Sequence, residues 1–194
     1  YLRIINVDNF IYEFNINKDL CDKLIDYHKL NQEYKHEGVN SHKKIDKTLK
    51  DSIDVNVYPS SNNPDIGFYF NEIGEGLFKY FKTYKFPEPS NMSLNLFTKE
   101  GFNIQYYPPG GGYKNWHFER ADTHGHIITR TLVFMTYLND VEDQGETEFH
   151  FQKIKIKPKK GLSLIWPADF TYTHRGIPSP TQEKYIATGW FNMV

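Results

Sequence analysis

The chain has 194 residues and a mass of 22.9 kDa, enough for one domain with a substantial core. Lys and Arg number 23 against 24 Asp and Glu, so bulk electrostatics gives no reason to expect a nucleic-acid partner. A single cysteine, Cys21, excludes an intramolecular disulfide, and no apolar run reaches the roughly 18 residues needed to span a bilayer. The reading is therefore a cytoplasmic protein in a reducing interior with no membrane partner. The chain opens at Tyr1 without Met, a basic n-region or an apolar h-region, and so reads as a processed fragment. Aromatic residues make up 16% of the chain and can supply both core and pocket walls.

Near the start, Leu20, Leu24, Ile25, Tyr27 and His28 recur at near-helical intervals with Asn17 available as N-cap, which predicts an amphipathic helix over 18–31. Cys21 lies in it as an ordinary buried thiol. After the polar break at Ser60-Ser61-Asn62-Asn63-Pro64, Ile66, Phe70, Ile73, Leu77, Tyr80 and Phe81 predict a second helix over 64–84. Gly74 and Gly76 oppose it at about 1 kcal/mol each relative to Ala. Beyond Pro87 the period becomes two. Strands are predicted over 92–97, 102–107, 131–138, 149–157, 162–166, 171–175 and 185–191, with Gly, Pro, Asn and Asp at the breaks. Within them, Lys153-Ile154-Lys155-Ile156-Lys157 reads as an edge strand with its lysines in solvent. Helices followed by strands in blocks imply an α+β domain of residues 1–194, divided into a helical support region (1–90) and an all-strand core (91–194).

The chemistry is suggested by Trp116-His117-Phe118-Glu119. Residues i and i+2 of an extended segment point the same way, so His117 and Glu119 can grip one ion while Phe118 turns into the core. With His174 arriving from a distant strand, two imidazoles and one carboxylate can occupy one face of an octahedral Fe(II) and leave three positions open. If 185–191 is a strand, Lys184, Ile186, Thr188 and Trp190 share a face. An ammonium on such a face either meets an anion or snorkels to solvent at the strand's entry. His124 and His126 form a second i, i+2 pair, but Asp122, Thr123 and Gly125 suggest an exposed loop, which with Arg120 and Arg130 could form a substrate lid. His28, His36, His42 and His150 read as structural or surface residues, and Asp140, Glu142 and Asp143 as turn acids. The chain has no Walker A loop, no G-x-S-x-G elbow and no H-E-x-x-H helix.

Several further segments stand in a telling order. Gln105-Tyr106-Tyr107-Pro108 with Gly110-Gly111-Gly112-Tyr113 precedes His117. Arg130-Thr131-Leu132-Val133-Phe134-Met135-Thr136-Tyr137-Leu138-Asn139-Asp140 and Gly145-Glu146-Thr147-Glu148-Phe149 come next. Pro158-Lys159-Lys160-Gly161, Thr173-His174-Arg175-Gly176 and Lys184-Tyr185-Ile186-Ala187-Thr188-Gly189-Trp190 close the series. From about Asn95 to the C-terminus this pattern resembles the Fe(II)- and 2-oxoglutarate-dependent dioxygenases of the prolyl 4-hydroxylase-like branch.

The resemblance implies a double-stranded β-helix, or jelly roll, with the two N-terminal helices packed on its larger sheet. It implies His117, Glu119 and His174 as catalytic iron ligands, Fe(II), 2-oxoglutarate and O2 as reactants, and ascorbate as an accessory reductant. It further implies Lys184 and Tyr137 on the distal carboxylate of 2-oxoglutarate, with Thr147 and Thr188 lining the same cavity; for the last three a hydrogen-bonded core role is the alternative. Tyr107 and Trp190 would stand on the substrate side, the substrate being a peptidyl or free amino-acid side chain, proline first, carried on a peptide or a small molecule. Most members carry Asp where this chain has Glu119. The extra methylene moves the carboxylate by about 1.5 Å, which keeps open a non-catalytic jelly-roll module that binds a ligand or a structural metal.

Overall fold

A computed structural model describes residues 8–39, 44–85, 96–98, 100–121 and 125–193. In chain order the elements are β1 (Tyr12–Asn15), α1 (Lys18–Leu30), β2 (Lys35–Glu37), β3 (Lys50–Asp51), β4 (Ile53–Val57), α2 (Pro64–Thr83), β5 (Leu96–Phe97), β6 (Phe102–Tyr107), β7 (Gly112–Tyr113), β8 (Arg130–Tyr137), β9 (Thr147–Phe149), β10 (Ile154–Ile156), β11 (Leu162–Pro167), β12 (His174–Gly176) and β13 (Lys184–Met193), with short 3-10 turns at 32–34, 125–129 and 170–172.

Both helices begin where local chemistry starts them. The Asn17 side chain accepts the Asp19 N–H at 2.9 Å, and Asn63 does the same for Asp65 N–H, with Pro64 in the first turn. Leu20, Cys21, Leu24 and His28 form the buried stripe of α1; Ile66, Tyr69, Ile73, Gly76 and Tyr80 form that of α2. Gly76 is tolerated for a packing reason, since a Cβ there would lie 2.3 Å from the Phe14 ring of β1. Cys21 is fully buried, and burial raises its thiol pKa to about 11.

All strand pairing is antiparallel. The large sheet runs β1-β11-β8-β13-β6-β4-β2, with β5 added on β13; a smaller sheet runs β10-β9-β12, and β3 pairs with β7. Period-two alternation divides each central strand between two cores. Phe102, Ile104, Leu132, Phe134, Ile165, Tyr185, Ala187 and Phe191 pack under α1 and α2. On the opposite face, Tyr107, Val133, Met135, Tyr137, Leu164, Trp166 and Ile186 meet Phe149 and Ile156 of the smaller sheet. This is the expected double-stranded β-helix with both helices on the larger sheet.

Three departures from the sequence reading appear. The first 90 residues are not only helical: β1 zips onto β11 and β4 onto β6, so the support region supplies strands to both sides of the sheet. The strand expected over 149–157 is two strands, β9 and β10, joined by a tight turn in which Lys153 takes φ 56°; β10, with Lys155 exposed, is nevertheless the predicted edge. The strand expected over 171–175 is a 3-10 turn followed by β12. Of the strand expected over 92–97, residues 92–95 lie outside the described residues. So do His42, Asp122, Thr123 and His124.

Gly189 of β13 marks a tight crossing behind the cavity. A Cβ there would stand 2.4 Å from Phe134 Cζ and 2.8 Å from the Gly101 carbonyl oxygen. Phe134 is fully buried and Gly101 offers only backbone, so neither can yield freely. Gly189→Ala is expected to destabilise the fold by about 1–3 kcal/mol, as overpacked cores do; an unchanged urea midpoint would contradict this packing.

Candidate functional site

Between the two sheets lies a cavity of about 600 Å³, within the range of pockets that enclose small molecules. The floor comes from the inward faces of β6 and β13, whose register places Lys184 opposite Tyr107, Ile186 opposite Gln105 and Thr188 opposite Asn103. The mouth is closed by a short antiparallel contact: His117 N–H donates to His174 O at 3.0 Å and His174 N–H to His117 O at 2.9 Å. Such a mutual pair sets its two side chains side by side, and the imidazole centroids are 4.4 Å apart.

Each imidazole is held from behind. His117 Nδ1 lies 2.9 Å from Asn115 O, and His174 Nδ1 lies 2.9 Å from Tyr172 O. A carbonyl can only accept, so each Nδ1 carries the hydrogen and each Nε2 of a neutral ring presents a lone pair. Both Nε2 atoms point at Glu119 Oε1, at 3.5 and 3.6 Å. Burial, and then the neighbouring His174, lowers the pKa of His117. Burial alone would raise that of Glu119, but a proton on the His117 and His174 rings outweighs it and holds the carboxyl well below its usual value. Electron pairs from two nitrogens and one carboxylate oxygen, all within 4.8 Å of one another, therefore converge on one point, an arrangement that repels itself unless a cation sits there. The donor set fits Fe(II). Tyr113 stacks on His117 at 3.6 Å between centroids, and Phe149 and Trp166 flank His174 at 5.6 and 5.2 Å, which fixes both rings.

Glu119 reaches this point despite its length because its other oxygen is tied down: Trp190 Nε1–H donates to Oε2 at 2.9 Å. Phe118, expected in the core, is half-buried and lines the cavity instead, since the peptide segment that carries the triad pair runs along the mouth.

Lys184 is buried at the cavity wall. Its Nζ donates to Gly145 O at 2.9 Å and lies 3.5 Å from Ile177 O; among the described residues no carboxylate pairs with it. Burial lowers its pKa to about 8. It does not snorkel to solvent, and a cavity-facing ammonium of this kind fits the distal carboxylate of 2-oxoglutarate. Tyr137 and Thr147 both line the cavity, yet their hydroxyls bond to each other at 2.6 Å, and Tyr137 OH lies 3.0 Å from Ile156 O. Thr188 also faces the cavity but spends its hydroxyl hydrogen on Phe134 O at 3.2 Å. Tyr107 is buried, its hydroxyl donating to Gln105 Oε1 at 2.7 Å, with Lys184 Nζ 5.2 Å from its ring centroid.

Some of the wall was not anticipated. Lys50 and Asp54 form a buried ion pair at 2.8 Å, Gln105 Nε2 donates to the same Asp54 oxygen, and all three line the cavity. The available signal was Asn103, Gln105 and Tyr107 alternating with the apolar Phe102, Ile104 and Tyr106 in one strand. That pattern also describes an ordinary solvent face. The lid reading is corrected for Arg130, which begins β8 and is packed inside against Trp190; Arg120 pairs with Asp169 on the surface. The turn acids are as expected, Asp140 accepting Lys160 N–H and Glu142 pairing with Lys157. His28 is buried and bonded to Ile53 O, and His150 is exposed beside Trp116.

A jelly roll whose mouth holds two histidines and one carboxylate defines a mononuclear non-haem iron protein of the facial-triad class. Residues 102–192 match the family described as the 2OG-Fe(II) oxygenase superfamily, and the chain is similar in sequence and fold to prolyl 4-hydroxylase-like proteins. The probable prolyl 4-hydroxylase 9 of Arabidopsis thaliana is 30% identical over 115 residues, which cover 47% of this chain and 40% of that protein. The chain thus spans less than half the length of this curated relative. The prolyl hydroxylase of Trichoplax adhaerens, solved with a hypoxia inducible factor peptide fragment, superposes with a TM-score of 0.74 at 14% identity, covering 95% of this chain and 84% of that one. The viral collagen prolyl hydroxylase of Paramecium Bursaria Chlorella virus-1, solved with 2OG, superposes with a TM-score of 0.68 at 23% identity, covering 95% and 97%.

Proposed function

We propose that this chain is an Fe(II)/2-oxoglutarate-dependent dioxygenase that hydroxylates a peptidyl or free amino-acid side chain, proline first. One observation carries the reading: the converging donors of His117, Glu119 and His174 share a cavity with the buried ammonium of Lys184, which no carboxylate pairs among the described residues. Relatives named as prolyl hydroxylases, one solved with a peptide fragment, support the substrate class.

In this reading His117, Glu119 and His174 would hold the iron, which when bound would supply the chemistry by which O2 oxidises 2-oxoglutarate to succinate and CO2 and hydroxylates the substrate, one oxygen atom going to each. The chain's own contribution is to bind, orient and exclude. Lys184 anchors the distal carboxylate, with the paired hydroxyls of Tyr137 and Thr147 beside it as further polar contacts. Thr188 lines the cosubstrate side, and so does Tyr107, which was expected on the substrate side but stands opposite Lys184 with its ring 5.2 Å from Nζ; Trp190 forms a wall on the substrate side. Met135, Trp166 and Ile186 supply apolar surface that keeps water from the site, strengthening the attraction between Lys184 and its anion. Ascorbate would serve only to keep the iron reduced. A reducing, cytoplasmic location suits a chain whose single thiol is buried.

Anaerobic titration with Fe(II) and 2-oxoglutarate tests this reading against a plain binding module. A charge-transfer absorption band that needs both additions is expected, followed by succinate release once O2 is admitted with a proline-rich peptide panel. Absence of the band with stoichiometric Fe(II) bound would leave the jelly roll as a metal-binding module.

A further inference from the structure

Trp190 and Arg130 lie closer to Glu119 than a substrate wall requires. Trp190 Nε1–H donates to Glu119 Oε2 at 2.9 Å, on the side away from the imidazoles. Arg130 Nη1 donates to the Glu119 backbone carbonyl at 3.2 Å and lies 3.6 Å from the same Oε2. The guanidinium stacks on the Trp190 ring at 3.5 Å from its centroid. Arg130 is in turn gripped by Glu100, Nε to Oε1 at 3.0 Å and Nη2 to Oε2 at 2.5 Å, and Asn192 Nδ2 donates to Glu100 Oε1 at 2.9 Å. The side chains of Arg130 and Glu100 are 13% and 8% exposed, so this fork-to-fork pair is well shielded from solvent.

From this chain of contacts we infer that Glu100, Arg130 and Trp190 are positioning residues that fit the longer Glu119 side chain to the metal centre, so that it offers Oε1 alone to the ion. A glutamate has one more rotatable bond than an aspartate, and a free carboxylate can turn both oxygens to one cation. Here Oε2 is engaged by an indole N–H and faces a guanidinium, while the backbone of residue 119 is tied to the same arginine. The rotational freedom that the extra methylene introduces is thereby removed, and the second oxygen is kept off the ion. Glu100 fixes the arginine by occupying its Nε and Nη2, so that Nη1 is the edge turned to Glu119. The clamp explains why Glu119 can stand two residues after His117 and still meet both imidazoles with one oxygen.

The inference rests on the metal-centre reading, and metal affinity measured without turnover separates the two. Mn(II) binding to the whole chain is followed by electron paramagnetic resonance for the parent, Trp190→Phe, Glu100→Gln, Glu119→Asp and Glu119→Asp/Trp190→Phe proteins. Phe keeps an aromatic ring for Arg130 and deletes only the indole donor; Gln keeps the shape of Glu100 and deletes its charge. Trp190→Phe is expected to weaken Mn(II) binding about 10–100-fold, as loss of a ligand's supporting hydrogen bond does, and Glu100→Gln to weaken it in the same direction. In the Glu119→Asp background the shorter carboxylate is drawn away from the indole, so adding Trp190→Phe should change affinity less than about twofold. Parent-like affinity in Trp190→Phe, or an equal loss in both backgrounds, would overturn the clamp and leave the metal centre standing. A parent that binds no Mn(II) would remove the metal centre itself and the clamp with it.

Discussion

His174→Ala should reduce 2-oxoglutarate-dependent succinate release to the level of metal-free protein, and His117→Ala should do the same. Each imidazole supplies one of three donors, and neither has a substitute: among the described residues His117, Glu119 and His174 are the only His, Cys, Asp or Glu cluster able to hold an ion. The loss should appear first as failure to retain Fe(II), because an alanine leaves two ligands where a facial arrangement needs three. His150→Ala, at an exposed ring beside Trp116, serves as the control and should turn over normally. Succinate release by His174→Ala at the parental rate would falsify the assignment of the triad.

The second large effect concerns Lys184, where stability and function should move in opposite directions. Burial lowers its pKa to about 8, against 10.5 in the unfolded chain. Between those values the unfolded state binds more protons than the folded one, so stability of the ligand-free protein should rise as pH increases from about 8 to 10.5. Below about pH 8 the full cost of the buried ammonium applies, of order 3 kcal/mol for a shift of this size. Lys184→Met removes that charge and should therefore raise the melting temperature of the ligand-free protein, at about 2–4 °C per kcal/mol for a chain of this length. The same substitution deletes the partner of the distal carboxylate and should raise the KM for 2-oxoglutarate at least ~30-fold, since breaking a buried charge pair costs several kcal/mol. In the parent enzyme, kcat/KM for 2-oxoglutarate should fall about tenfold per pH unit above pH 8 as the ammonium of the free enzyme deprotonates. A Lys184→Met protein that melts lower than the parent and saturates normally with 2-oxoglutarate would show that the lysine serves packing, not the cosubstrate.

The opposing effects follow from what the ammonium lacks. Gly145 O and Ile177 O are dipoles, not charges, and they stabilise a buried cation incompletely. Lys50, in the same cavity, is matched by Asp54 at 2.8 Å and Gln105 shares that carboxylate. Of these two lysines, Lys184 is thus the one whose charge is left for an incoming anion.

Local sequence determined the parts of this protein whose physics is local. Asn17 and Asn63 start the helices because a side-chain oxygen caps the next free N–H, and β6 and β13 are legible because apolar residues alternate over six or more positions. The i, i+2 spacing of His117 and Glu119 was legible too, although Phe118 between them lines the same cavity. What only the tertiary structure decided depends on partners far away in the chain. Strands of three to five residues, β1, β2 and β4, carry too little pattern to be read; β1 and β4 exist because β11 and β6 offer unpaired edges, and β2 because β4 then offers its own. Glu100, Arg130 and Trp190 are unremarkable singly, and their grip on Glu119 arises only when β13 lies beside β8. Periodicity tells a residue which face it occupies; only the folded chain tells it what stands opposite.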